Sequence, residues 1–444
     1  MLPTNLGAKV KQKSRFEKLE LFNKVLYLIE SQYYREVDTE KLIAGALKGM
    51  MATLDPHSAF LGKEVFSKMQ EDTSGEFGGL GIEVSQKEGV IVVITPIDDS
   101  PASRVGLRPG DKIVEINHEP TLGITLDEAV EKMRGKANSK INIGIVRSGV
   151  SGIKRYSLKR EIIKIRPVKF ELIEKEFAYL RLVQFQKRSA SSLAEALKKL
   201  AKKAPKKTGL QGIILDLRSN PGGLLEEAIN VSSLFLKGGI VVSTEGRDPK
   251  NKEIKYVKKT GHKELKLPLV VLINGSSASA SEIVAGALQD HGRAIIMGTQ
   301  SFGKGSVQTV AKIDEEKGVK LTIAQYMTPN GTKIQAVGIR PDVKIDEVDA
   351  KWVGEHKRES RFIRERDLRN HLNATVETES EKVLRLASER EERKRRIARI
   401  KENERKKKII VEDRPKKYNP KEDFQVNQAV NYIRGFKVFK KMKI

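Results

Sequence analysis

Between residues 161 and 345, short apolar runs alternate with helical patterns, and this alternation constrains the fold more than any other feature of the chain. Strand-like runs fall at 177–182, 212–217, 240–243, 269–273, 294–297 and 321–326, and helical patterns at 192–202, 223–235 and 281–290. Strands and helices in alternation bury their apolar faces against one another in layers, so an α/β core is expected. The flanks differ. Residues 75–160 carry β-rich runs at 80–84, 90–94, 112–116 and 140–146, separated by turns at Lys87-Glu-Gly89, Arg108-Pro-Gly-Asp111 and Arg147-Ser-Gly149. Two short helices fit between them, near 101–105 and 126–133. The N-terminal part reads as a helix over 15–34, with Leu19, Phe22, Val25, Leu26 and Ile29 in one stripe, and a second over 39–54 capped by Asp38. Beyond residue 346 the chain is helical and charged. The stretch 385–408 reads as an exposed helix, and Phe424, Val426, Ala429, Val430, Ile433 and Phe436 then restore an apolar stripe. The expected organisation is a helical segment (1–74), a β-rich domain (75–160), an α/β core (161–345) and a basic helical region (346–444).

Composition removes several classes of function. The chain has no cysteine, which excludes disulfides, thiolate catalysis and cysteine-zinc sites. Its six histidines form no HxxxH pair, so no metal and no cofactor is expected. Much of the net charge of +26 lies beyond residue 380, in Arg393-Lys-Arg-Arg396 and Arg405-Lys-Lys-Lys408. That tail fits a solvated appendage, an assembly element or a contact with an anionic surface. Nucleic acid is not an expected partner, and a nucleic-acid reading would require salt-sensitive binding carried by the tail alone. No apolar run approaches a membrane span, and Met1 to Phe16 lacks a signal-peptide core. The protein is therefore expected to be cytoplasmic, or to have lost an export signal upstream of this numbering.

The chemistry-bearing segments lie in the core. Asn274-Gly-Ser-Ser-Ala-Ser-Ala-Ser-Glu282 joins an apolar strand to a helix, and Ser301-Phe-Gly-Lys-Gly-Ser306 follows. A serine hydroxyl needs a base, and a lysine serves if burial disfavours its charged form. Ser279-x-x-Glu282 also reads as a helix capping box. Gly298-x-x-x-x-Gly303-Lys304 approaches a phosphate-binding loop, but Gly305 stands where Ser or Thr should hold magnesium, and a strand follows where a helix is needed. In Leu215-Asp-Leu-Arg-Ser-Asn-Pro-Gly-Gly223 a strand runs into a two-glycine turn whose amides can face an anion. In the β-rich domain, Gly79-Leu-Gly-Ile82 precedes a strand, and Ser100-Pro-Ala-Ser-Arg-Val-Gly-Leu-Arg-Pro-Gly-Asp-Lys-Ile-Val-Glu-Ile-Asn117 follows. This stretch resembles a PDZ domain, which implies capture of a partner's C-terminus by β-strand addition. An apolar last residue would be favoured by Leu80 and Ile82, with Leu126, Val130 and Met133 along the groove helix.

Taken in order, these motifs resemble the carboxyl-terminal processing peptidases, or tail-specific proteases, over roughly residues 17 to 345. The resemblance implies a crotonase/ClpP-like α/β protease core with an inserted PDZ domain, and a serine endopeptidase that works through an acyl-enzyme. By the same resemblance Ser279 is the nucleophile, between Ser277 and Ser281, and Lys304 is the general base. Gln308 orients Lys304, and Asp290 is sometimes grouped with the site. The oxyanion donors would be the amides of Ala280 and of Gly222 or Gly223, and Arg134 is a candidate for signalling bound peptide. Expected partners are protein or peptide substrates with apolar C-termini, an adaptor or regulatory protein, and a second copy of the chain in a homo-oligomer, a dimer through Leu19, Phe22 and Leu26. The family's bacterial members imply the periplasm or cell envelope. The alternative is a catalytically silent PDZ scaffold that binds protein C-termini.

Overall fold

The structure, a computed structural model, describes residues 14–346 other than 88, 98, 249 and 251, then 364–368, 371–372 and 418–441. The helix read from sequence at 385–408 lies outside the described residues. The chain divides into two compact units, residues 1–66 with 308–322, and residues 67–307 with 323–444.

The first unit holds α1 (Arg15–Gln32), α2 (Thr39–Ala52) and β1 (Ala59–Leu61). Ser14 and Glu17 form a reciprocal capping box at the start of α1, and the Asp38 carboxylate caps α2 through the amides of Glu40 and Lys41. No residue of α1 is buried, so the stripe of Leu19 and Phe22 stays exposed rather than packing onto a core. In the turn after α2, the Asp55 carboxylate accepts from the backbone of His57 and Ser58 and from the Thr322 hydroxyl. The chain passes between units within α3 (Lys63–Ser74), β17 (Ser306–Lys312) and β18 (Gly318–Met327).

The second unit begins with a ribbon of β2 (Glu76–Gly79) paired to β9 (Glu161–Lys164), which brackets an antiparallel module. That module comprises β3 (Ile82–Lys87), β4 (Val90–Pro96), α4 (Pro101–Arg104), β5 (Lys112–Ile116), β6 (Glu119–Pro120), α5 (Leu126–Met133), β7 (Lys140–Val146) and β8 (Lys154–Lys159). Its sheet runs β3-β4-β5-β7-β8, with β6 beside β5, so β3 is an edge strand. Alternate residues of β4, β5 and β7 (Ile91, Val93, Ile113, Ile141, Ile143, Ile145) fill its core, the period of two that a one-faced sheet requires.

The α/β layer follows with β10 (Val168–Ile173), β11 (Phe177–Leu182), α6 (Ser189–Lys203), β12 (Gly212–Asp216), α7 (Leu225–Phe235), β13 (Ile240–Gly246), β14 (Lys252–Tyr256), β15 (Leu269–Ile273), α8 (Ala280–Asp290), β16 (Ile295–Gly298) and β19 (Val343–Lys344), closed by α9 (Phe424–Lys441). The main sheet runs β10-β11-β12-β15-β16-β19 and is parallel from β11 onward. Both faces are covered, as parallel sheets require. Ile213, Leu215, Leu269, Val271 and Ile273 face α6, α7 and α8. Ile214, Val270 and Leu272 face Val426, Ala429, Val430 and Ile433 of α9. The sequence stripe of the C-terminal region is thus one wall of the core, although Phe436 at its far end is exposed. With β11, β12, β15 and β16 running the same way, the C-terminal ends of β12 and β15 and the N-termini of α7 and α8 gather at one edge, where open α/β sheets place their sites.

Candidate active site

The serine segment is a sharp strand-to-helix turn. β15 is fully buried and α8 begins at Ala280. Between them, the Ser277 hydroxyl donates to the Leu217 carbonyl at 2.8 Å and accepts the Asn274 amide at 2.9 Å. The Ala278 amide and the Ser281 hydroxyl both donate to the Asn220 carbonyl at 3.0 Å. These bonds hold Ser279 at φ 54°, ψ −112°, in a region that L-residues seldom adopt. Such strain costs on the order of 1–3 kcal/mol and persists only where the surroundings over-determine it. The result is a hydroxyl lifted off the turn at the positive end of a helix.

The second segment lies against it. Gly222 (φ 101°) and Gly223 (φ 140°) both need glycine's freedom. A Cβ on Gly222 would stand 2.8 Å from the Ala278 carbonyl oxygen and 2.8 Å from the Ser279 Cβ. The Gly222 amide donates to Asn220 Oδ1 at 2.9 Å, so it is occupied within its own turn. Among the described residues no hydrogen bond takes up the amides of Gly223 or Ala280. Gly222→Ala is expected to displace the serine turn and lower kcat by about 100-fold, the size of losing an oxyanion donor, with little change in KM; steady-state kinetics on one peptide checks this.

Beneath this turn sits a polar cluster. Arg218 binds Asp216 through Nε and Nη2 at 2.9 and 2.7 Å, and also reaches Gln425 at 2.8 Å, the Tyr418 hydroxyl at 3.0 Å and Asp423. Tyr179 donates to Asp216 at 2.7 Å. Asp216 is fully buried. Burial works against its charge, but the Arg218 bonds win and hold its pKa below the usual range. The C-terminal segment thereby clamps the strand that feeds the glycine turn.

The lysine loop joins the serine turn through one carboxylate. Glu282, with none of its surface exposed, accepts the Ser279 amide (2.8 Å) and the Lys304 amide (2.9 Å) on Oε2. Its Oε1 accepts the Gly303 amide at 2.7 Å and the Ser301 hydroxyl at 2.5 Å. The backbone nitrogens of the two key residues are therefore no further apart than those two Oε2 bonds end to end. The Phe302 amide adds a bond to the Ser277 carbonyl at 3.0 Å. Burial pushes the Glu282 pKa up to about 7 against the pull of its donors.

The other sequence candidates take the following positions. Gln308 belongs to the first unit, where its side-chain amide donates to the Thr322 hydroxyl at 3.4 Å. Asp290 ends α8 and accepts the Asn330 amide at 2.8 Å, a role in holding a turn. In the antiparallel module, Ser100 donates to the Gly81 carbonyl at 3.1 Å, and the Leu80 carbonyl accepts from Ala102 at 3.0 Å. No hydrogen bond takes up the amides of Leu80 and Gly81 among the described residues, so the Gly79-Leu-Gly-Ile82 turn presents free donors at the head of edge strand β3. The side chains of Leu80 and Met133 are sunk in the module's core, while Ile82, Leu126 and Val130 are half-buried between β3 and α5. Arg134 follows α5, pairs with Glu71 at 2.8 Å and stacks on Phe77, with its centre 4.7 Å from the ring. Sequence reasoning treated Glu282 as a cap and passed over Ser301, Asn220 and the Arg218 cluster. The signal for Glu282 was an acid opening the apolar run Ile283-Val-Ala-Gly-Ala-Leu288, where an unpaired charge would be costly.

Residues 176–345 match peptidase family S41, residues 92–147 match the PDZ domain, and residues 4–65 match the activating protease CtpB N-terminal domain. Fold and site together define a peptidase of the S41 fold carrying an inserted PDZ domain. A carboxy-terminal-processing protease of Bartonella bacilliformis is 43% identical over 369 residues, 83% of either chain. The carboxy-terminal processing protease CtpA of Bacillus subtilis is 37% identical over 335 residues, 75% of this chain and 69% of its own. Among solved structures, the photosystem II D1 C-terminal processing protease aligns over 74% of this chain and 93% of its own, at 29% identity and a TM-score of 0.43. The chain belongs to the carboxy-terminal-processing proteases.

Proposed function

We propose that this protease is a serine endopeptidase that cuts proteins near their C-terminus, with Ser279 as nucleophile and Lys304 as base. The observation that carries this reading is the shared Glu282 oxygen, which ties the backbones of both residues together while the Gly222-Gly223 turn closes over Ser279. In the reaction, Ser279 Oγ attacks the scissile carbonyl and its proton passes to neutral Lys304 Nζ. The amides of Ala280 and Gly223 hold the developing oxyanion. Lysine then returns the proton to the leaving amine, and water releases the acyl-enzyme by the same route. Gln308 is the proposed orienting partner of Lys304.

In the same proposal the PDZ domain captures the substrate tail. The tail would add to β3 as a strand, its terminal carboxylate on the free amides of Leu80 and Gly81 and its last side chain between Ile82, Leu126 and Val130. Exposed Leu19 and Phe22 of α1 are the proposed dimer contact, and Arg134, paired with Glu71 of α3, is the proposed reporter of groove occupancy. Action in the cell envelope, and control by an adaptor, complete the proposal.

The test is digestion of an unfolded protein with an apolar C-terminal residue, offered with its terminal carboxylate free or amidated. The free form should be cut with a KM lower by about 10- to 100-fold, the worth of charge-assisted hydrogen bonds. Equal KM for both forms would remove tail capture from the reading. Failure to cut either form would remove the protease activity.

A further inference from the structure

We propose that Glu282 is the positioning residue of this site: its ionised, enclosed carboxylate holds the serine turn and the lysine loop in register, so that turnover needs the proton off Glu282 as well as off Lys304. The proposal rests on the serine–lysine reading.

The argument is one of donor and acceptor count. Four donors meet two carboxylate oxygens: the amides of Ser279 and Lys304 on Oε2, and the Gly303 amide with the Ser301 hydroxyl on Oε1. Three of the four are backbone N–H groups, which cannot accept. The fourth, Ser301, is itself fixed, because its hydroxyl oxygen accepts the Ile339 amide at 2.6 Å. A proton on Oε2 would point a donor at two donors and release the serine turn, the lysine loop or both. A proton on Oε1 would set the same conflict against Gly303, next to the lysine. Only the charged form satisfies every partner at once.

Besides the lysine of the site, charge meets these loops from residues 364–365: Arg364 donates to Gln300 Oε1 at 2.6 Å, the Glu365 amide donates to the Phe302 carbonyl at 3.2 Å, and the buried Glu365 carboxylate accepts from Gln335 at 2.9 Å. The serine turn (274–279) has no ionisable side chain, and the loop 299–305 has Lys304 alone. The turn 335–339 has none, and a Cβ on its Gly338 would stand 3.2 Å from Oε1. On α8 the other acid, Asp290, sits at the far end and is bound to Asn330. Desolvation therefore dominates and brings the Glu282 pKa up to about 7, within reach of ordinary assay conditions. Above that value the loops are held and the site is competent. Below it one loop is released and turnover falls.

Stability runs the other way. Between the ordinary carboxyl value of 4.5 and about 7, the folded protein keeps a proton that the unfolded chain has lost. Stability therefore falls as pH rises through that window.

The experiment compares pH–rate and pH–melting profiles of the wild type, Glu282→Gln and Ser301→Ala, with Ser279→Ala as the blank. A glutamine cannot present two accepting atoms, so Glu282→Gln should lose about 100-fold or more in kcat, keep KM within about threefold, and show no inflection near pH 7. Its melting temperature should also lose the decline across the 4.5-to-7 window. Ser301→Ala removes a bond that favours the charged form, so its inflection should move to higher pH, and this variant decides the matter if Glu282→Gln does not fold. Wild-type kcat and an intact inflection in Glu282→Gln, or an unmoved inflection in Ser301→Ala, would overturn the proposal. Cleavage by Ser279→Ala at the wild-type rate would instead overturn the serine–lysine reading beneath it.

Discussion

Ser279→Ala and Lys304→Ala are each expected to lower kcat by at least about 10⁴-fold, and the double variant should be no worse than either alone. Nucleophile and base act as a unit, so removing one forfeits nearly everything the pair supplies. Lys304→Arg is the sharper test. Arginine keeps the positive charge but cannot give up its proton at working pH, so it cannot act as a base. It should be as inactive as alanine if Lys304 accepts the serine proton, and substantially active if a positive charge near the oxyanion is all that matters. All four variants should bind a free apolar C-terminal peptide with wild-type affinity, because the proposed groove lies in β3 and α5 and shares no residue with the site. Cleavage of an unfolded substrate, followed by gel and mass spectrometry, gives the rates, and peptide titration gives the affinity. Rates for Ser279→Ala or Lys304→Ala within tenfold of wild type would sink the mechanism. Retained binding with no cleavage by the wild type would favour a scaffold.

Arg218→Met is expected to destabilise the second unit by about 3–5 kcal/mol, the cost of leaving a buried charge without its partner. Asp216 is fully enclosed and keeps its charge chiefly through Arg218, with Tyr179 as a further donor. Methionine removes two bonds to Asp216 and also those to Gln425 and Tyr418. The sign with pH follows from the direction of the Asp216 shift. A depressed pKa contributes stability that is present above the ordinary value of 3.8 and is lost as pH falls through the folded value. The gap between wild type and variant should therefore be widest near neutrality and narrow in acid. Thermal melts from pH 3 to 8 check this, and a gap independent of pH would show that packing rather than charge is what the arginine supplies. Activity should fall as well, since Asp216 and Arg218 lead directly into the Asn220–Gly223 turn.

The order of elements in the core was legible because a parallel sheet covered on both faces leaves continuous apolar runs. Leu269–Ile273 and Gly212–Asp216 are buried at every position, and the helices between them carry one apolar side. The PDZ domain was legible from turn chemistry, with Gly81 at φ 72° in a place where a Cβ would stand 2.3 Å from that of Ser100. The stripe in α9 was equally visible, but its destination was not. Periodicity reports that a face is apolar and is silent on what it covers, so that Val430 and Ile433 close the sheet over Ile214 and Leu272 could not be read from spacing.

The candidate site divides in the same way. Ser279 and Lys304 could be picked out in the sequence because their chemistry needs particular residue types, a hydroxyl on a strand-to-helix turn and an amine in a glycine-flanked loop. Asp290 and Glu282 shared a helix, and nothing local separated their roles. Folding carries Asp290 to the far end, against Asn330, and buries Glu282 between the two loops, where four donors converge on one carboxylate. Residue type and local spacing thus determined the layered core, the glycine turn of the PDZ domain and the two proposed reactive groups. Only the tertiary structure decided which carboxylate is enclosed, which amides are left free and which distant segment braces the glycine turn, because burial and hydrogen-bond satisfaction depend on neighbours that the sequence places tens or hundreds of residues away.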